Sequence, residues 1–153
     1  VCKTEQDVVS NLNILMQQKG IRELYCRDKS IDAFLTANNI KTTNSPSDFE
    51  LMQAGITGCE FLIARTGSLV VTSAGDSGRQ LNVFPPVHIV LANSDQLLNY
   101  PEEALIAITE KYAGAFPSTI TTITGPSRTA DIEKTLVLGA HGPKELIVFL
   151  SIV

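Results

Sequence analysis

Cysteine is scarce in this chain. Cys2, Cys26 and Cys59 stand far apart, with no C-x-x-C pair, so the sequence spells no ligand cluster for zinc or for iron and sulfur. An odd, sparse set suits a reducing compartment, with Cys26 and Cys59 as small buried apolar residues. Basic charge is scarce too. Lys and Arg number 12 against 16 Asp and Glu, for a net charge of −4. That balance leaves no electrostatic footprint for nucleic acid or an anionic membrane. No apolar run approaches the ~20 residues of a membrane span. The longest, residues 146–153, is interrupted by Ser151 and suits a buried strand. No signal-peptide pattern is present. G-x-G-x-x-G, the Walker P-loop and the G-x-S-x-G elbow are all missing. The histidines are His88 and His141, without H-x-x-x-H or H-x-H spacing to support a zinc site. Redox chemistry would need a cofactor, because no residue set here transfers hydride or electrons alone.

What is present is an ordinary globular composition, 44% hydrophobic and 18% charged over 153 residues. That length predicts a single domain, large enough to bury roughly two-thirds of the surface its unfolded chain exposes. Residues 4–19 predict a helix, with Thr4 and Asp7 as a capping box and Gly20 as its stop. Residues 24–26 read as a short strand. Ser30 is placed as the cap of a second helix that turns Ile31, Phe34 and Leu35 inward and ends at Asn38-Asn39. Residues 40–42 form a further short strand. The strand–helix alternation predicts a parallel, layered α/β domain.

From Ala54 the pattern changes. Residues 61–64 and 69–71 flank Thr66-Gly67 as a hairpin, an antiparallel element expected on an otherwise parallel sheet. Gly55 and Gly58 fit a bulge or a close backbone approach. Arg65 at the hairpin mouth reads first as a solvated charge and second as an anion contact. Residues 73–82, polar with two glycines, read as a lid or an exposed tip, with Arg79 as a possible clamp. Residues 87–92 look like a central strand, and His88 inside it reads first as a hydrogen-bonded core residue. Pro101 starts a helix that buries Leu105, Ile108 and Tyr112 and stops at Gly114.

The chemistry concentrates in residues 123–143, ITGPSRTADIEKTLVLGAHGP. The expectation is a loop that leaves a buried strand, residues 119–124, at its carboxyl end, where open α/β sheets bind ligands. Ser127 and Thr129 can cap a turn or donate to an anion. Arg128 can grip a carboxylate or phosphate with two parallel bonds. Asp131 and Glu133 would orient Arg128 and His141, or the charges form a purely structural ion-pair network. His141 can hold or release a proton near neutral pH.

GPSRTADIE followed by LVLGAHGP and a terminal apolar run resembles the lactate-utilisation (LUD-domain) family, LutC/YkgG type. AGITGCEFLIARTGSLVV resembles that family's Gly-rich strand leading into an A-E-T-G turn, and PPVHIVL its P-x-x-H-I strand. The likeness covers residues 54–153. The family usually carries Glu before Thr-Gly, where this chain has Arg65, so any chemical role of that Glu would be missing. Family members are longer at the amino end, and a chain that starts at Val1 leads to the expectation of a missing N-terminal segment.

The resemblance implies a mixed, mostly parallel sheet flanked by helices, like the NagB/RpiA/CoA-transferase group. It implies a part in oxidising L-lactate to pyruvate, as one subunit of a cytoplasmic complex. The iron–sulfur clusters would lie on partner subunits, with no cofactor bound by this chain. The resulting expectation is a non-redox ligand-binding or assembly subunit. Its pocket for a small carboxylate or phosphate uses Ser127, Arg128, Thr129, Asp131, Glu133 and His141, with His88 and Arg65 as further candidates. A stand-alone enzyme on a sugar phosphate or CoA ester, and a non-catalytic small-acid-binding module, are the alternatives.

Overall fold

A computed structural model of the chain describes residues 1–130 and 136–152. Helix α1 (Glu5–Lys19) starts as the sequence predicts: the Thr4 hydroxyl accepts from the Asp7 amide and the Asp7 carboxylate returns to the Thr4 amide. Gly20, at φ 65°, ends it in the left-handed conformation that glycine adopts without strain. Strand β1 (Leu24–Cys26) follows. Helix α2 (Lys29–Ala37) is capped by Asp28, not Ser30; Asp28 Oδ1 accepts from the amides of Ser30 and Ile31 at 2.9 and 3.1 Å. A carboxylate wins that position because it meets two free amides and the positive end of the helix dipole together. Strand β2 (Thr42–Thr43) completes this half.

Next come β3 (Ala54–Thr57), β4 (Phe61–Ile63), β5 (Ser68–Thr72), β6 (Val87–Asn93) and β7 (Leu97–Leu98). After helix α3 (Pro101–Lys111) lie β8 (Ile120–Ile123), β9 (Arg128–Ala130), β10 (Leu136–Leu138) and β11 (Glu145–Ser151). Five strands form a wholly parallel sheet in the order β11-β6-β3-β1-β2. Four others form a separate sheet, β7-β4-β5-β8. The hairpin of β4 and β5 forms as predicted, with Leu62 opposite Leu69. It does not extend the parallel sheet, as expected from sequence, but nucleates this second one. β3, four buried residues within the Gly-rich stretch, lies inside the parallel sheet between β6 and β1.

The faces sort the layers. Ile56, Ile89 and Phe149 pack with Leu12 and Leu35 under the two N-terminal helices. Val90, from the opposite face of β6, joins Leu69 and Val71 of the second sheet. Val70 points the other way, to Ala104 and Ile108 of α3. Four layers result: helices, parallel sheet, second sheet, helix. Each fully buried aliphatic side chain contributes roughly 1.5–3 kcal/mol over an exposed one. Leu105, expected in the buried stripe of α3, is 54% exposed, because Ala104 takes the inward position. Gly55 is a close approach: a Cβ there would meet Pro85 Cγ at 3.0 Å.

Candidate functional site

The motif residues gather at one edge of the parallel sheet. The Ser127 amide donates to the Pro143 carbonyl at 2.8 Å, and the Gly139 amide donates to the Ser127 carbonyl at 3.0 Å. The amides of Lys144 and Glu145 donate to Pro86, just ahead of β6. The two loops of the motif therefore clasp each other at the amino-terminal edge of β6 and β11. This corrects the expected setting. The strand before the motif, β8, is an edge strand of the second sheet with Thr121 and Thr122 exposed, so its carboxyl end is not that of a buried parallel strand.

Arg128, on β9, and His141, in the second loop, are exposed, and Thr129 is half-buried. Asp131 and Glu133 lie outside the described residues. Arg65 is exposed in the β4–β5 turn. Its neighbourhood touches the start of the motif, since Ser68 Oγ shares hydrogen bonds with Thr66 and with Thr124, at 2.7 and 2.9 Å. His88 is apart from all of these. It is fully buried in β6, its Nε2 bonded to Thr57 Oγ1 at 2.8 Å, while Nδ1 has no partner among the described residues. Burial pushes its pKa down to about 4, so the ring is neutral at physiological pH.

The opposite, carboxyl-terminal edge of the parallel sheet carries two clefts that the sequence reading missed. The larger, about 720 Å³, has an apolar wall of Ile31, Phe34, Leu91 and Phe149. The smaller, about 240 Å³, is built around Glu60. They meet at Asp28 and Gly58, which line both. Glu60 Oε1 accepts from Tyr112 Oη at 2.6 Å and Thr72 Oγ1 at 2.8 Å, and Oε2 from Lys111 Nζ at 2.7 Å. Burial works to raise the Glu60 pKa, but these three donors outweigh it and hold the carboxyl below its usual range. The same bond to Glu60 holds Lys111 above the ordinary lysine value. Asn82 lines this cleft, and its Oδ1, shielded from solvent, has no partner among the described residues. The one sequence signal was Glu60 itself, a lone carboxylate beside the apolar run FLI.

Residues 73–82, read as lid or tip, supply Gly75, Ser77 and Gly78 to the smaller cleft. Arg79 donates to Ser118 Oγ at 2.9 Å, and Arg27 to Gln80 Oε1 at 3.2 Å, which pins the segment on both sides. Among the described residues no three His, Cys, Asp or Glu side chains converge as a metal site, and no helix is long and apolar enough to cross a membrane.

Residues 3–151 match the LUD domain family. The chain belongs to that family. A Neisseria meningitidis serogroup B protein is 39% identical to this LUD domain over 101 residues, 65% of this chain and 42% of the relative. A Bacillus licheniformis lactate utilization protein C is 35% identical over 96 residues, 61% of this chain and 40% of that protein. The matched stretch thus covers less than half the length of either. A crystal structure of a DUF162 family protein from Deinococcus radiodurans superposes with a TM-score of 0.53 over 98% of this chain and 99% of that one. At 15% identity that likeness is one of fold.

Proposed function

We propose that this LUD domain serves lactate utilisation as a non-redox ligand-binding or assembly subunit of a cytoplasmic system that oxidises L-lactate to pyruvate. The observation that carries the reading is family membership over residues 3–151, together with relatives named lactate utilization protein C. Oxidation of lactate releases two electrons and two protons, and iron–sulfur clusters on partner subunits would supply the electron acceptor.

The small carboxylate is held at the clasp of the two motif loops. Arg128 supplies the cation, Ser127 and Thr129 the hydroxyls, and His141 the imidazole. Asp131 and Glu133 would orient the arginine and the histidine, and Arg65 adds a second guanidinium from the neighbouring turn. Gentle anaerobic purification from the native cells, followed by lactate-dependent dye reduction, tests this. Activity co-elutes with an iron–sulfur partner, and Arg128→Ala lowers it about ten- to a hundred-fold at unchanged thermal stability, the worth of a charge-assisted bidentate contact. A single, inactive species without iron–sulfur partners overturns the reading.

A further inference from the structure

We propose that the larger cleft at the carboxyl-terminal edge of the parallel sheet binds a small organic cation, an ammonium carried on an apolar, ring-bearing body. The site is separate from the motif loops, which lie at the opposite edge of the sheet.

Topology places it. The strand order β11-β6-β3-β1-β2 changes direction between β1 and β3. The chain leaving β1 crosses through α2, whose Leu35 packs in the core under the helices. The chain leaving β3 crosses through β4 and β5 on the opposite face, where Leu69 and Val71 meet Val90. The two connections part just after Asp28 and Gly58, and both residues line the cleft. Open α/β sheets hold ligands in the crevice that such a parting leaves.

The lining gives the ligand its body. The cleft measures about 720 Å³ and is walled by Ile31, Phe34, Leu91 and Phe149, an apolar bed with two aromatic rings. Ser151 lies two residues beyond Phe149, on the same face of β11, and also lines the cleft. It is 8% exposed, and its hydroxyl has no hydrogen-bond partner among the described residues. An ammonium has three donors and no acceptor, so an acceptor hydroxyl suits it.

The carboxylates decide the charge. Glu5, Asp28 and Asp95 line the cleft, and no lysine or arginine does. Asp28 Oδ1 accepts from the amides of Ser30 and Ile31 and from the Ser30 hydroxyl. Its Oδ2, like the carboxylates of Glu5 and Asp95, takes no hydrogen bond among the described residues. The neighbouring cations are engaged elsewhere. Arg27 alternates with Cys26 of the helix-side core and so faces the other way; it lies over the rings of Tyr25 and Phe49 and donates to Gln80. Arg79 donates to Ser118 and Lys111 to Glu60. Lys3 and Lys29 adjoin the rim in sequence and are exposed, outside the lining. Counting both still leaves the carboxylates in the majority, which favours a cation and repels an anion.

NMR titration of the isotope-labelled chain with phenethylamine tests the site. The amide signals of Ile31, Gly58 and Leu91 shift saturably, and those of Ser127 and Gly139 stay in place. The isosteric alcohol 2-phenylethanol binds at least about ten-fold more weakly, and 3-phenylpropionate does not bind. Asp28→Asn combined with Asp95→Asn weakens amine binding about ten-fold; asparagine keeps the cap of α2 while removing the charge. Should the pair be unstable, Asp95→Asn alone, at an exposed side chain without hydrogen bonds, still weakens the amine and leaves the alcohol unchanged. No saturable shift at about 10 mM amine, equal affinity for the alcohol, shifts centred on the motif loops, or unchanged affinity in the variants overturns the proposal.

Discussion

His88 shows how one residue can be read correctly and still hold something back. Its place in a hydrophobic strand points to a hydrogen-bonded core histidine, and the bond to Thr57 is there. The empty Nδ1 is invisible in sequence, because it depends on what the second sheet presents to the ring. The consequence is a pH effect. The pKa is about 4 in the folded state, against 6.5 for the unperturbed ring. Between those values the unfolded chain binds the extra proton, so stability rises with pH in that window and is flat above it. Lowering the pH from about 6.5 to about 4 costs up to about 3 kcal/mol through this group. Urea midpoints measured across that range for the native chain and for His88→Asn check it. The native curve falls more steeply than the variant's; parallel curves refute the assignment.

At the scale of elements, sequence patterns fixed local structure well and pairing poorly. The capping box of α1, the Gly20 stop, the span of β1 and the β4–β5 hairpin all follow from turn chemistry and periodicity within a few neighbouring residues. Which sheet the hairpin joins is decided by contacts between Val90 and the pair Leu69 and Val71, far apart in the chain. Glu60 is missed for the same reason: its three donors come from β5, α3 and the residue after α3. That carboxylate fastens α3 to the second sheet. Glu60→Leu strands the hydroxyls of Thr72 and Tyr112 and costs about 2–3 kcal/mol. Glu60→Gln keeps an acceptor for both and loses less. Because the folded carboxyl titrates below its usual range, the contribution is intact at neutral pH and is lost only as pH falls through that lowered value. Equal denaturation midpoints for Glu60→Leu and Glu60→Gln would refute the network's role.

For the whole molecule, the parallel α/β class was legible because short strands alternate with capped helices in the first half of the chain. The second sheet was not. β8, threonine-rich and β-branched throughout, reads like a buried strand, yet it lies at an edge with two threonines in solvent. β-Branched composition reports strand formation, not depth. The contrast sets an order of local stability. β6 is hydrogen-bonded on both sides, to β3 and β11, with its centre at Ile89 and Val90 wholly buried. Among the described residues β8 pairs only with β5. Opening β6 breaks two ladders and exposes both cores at once; opening β8 breaks one ladder and leaves the parallel sheet intact. Native-state hydrogen exchange followed by NMR therefore finds the Ile89, Val90 and Leu91 amides exchanging only through global unfolding, with free energies that track denaturant stability. The Thr121 amide, which faces Val71 across the β5–β8 ladder, exchanges through a smaller, local opening. Equal protection in the two strands would mean that the sheets unfold as one unit, with the inter-sheet cluster of Leu69, Val71 and Val90 strong enough to bind edge and centre together.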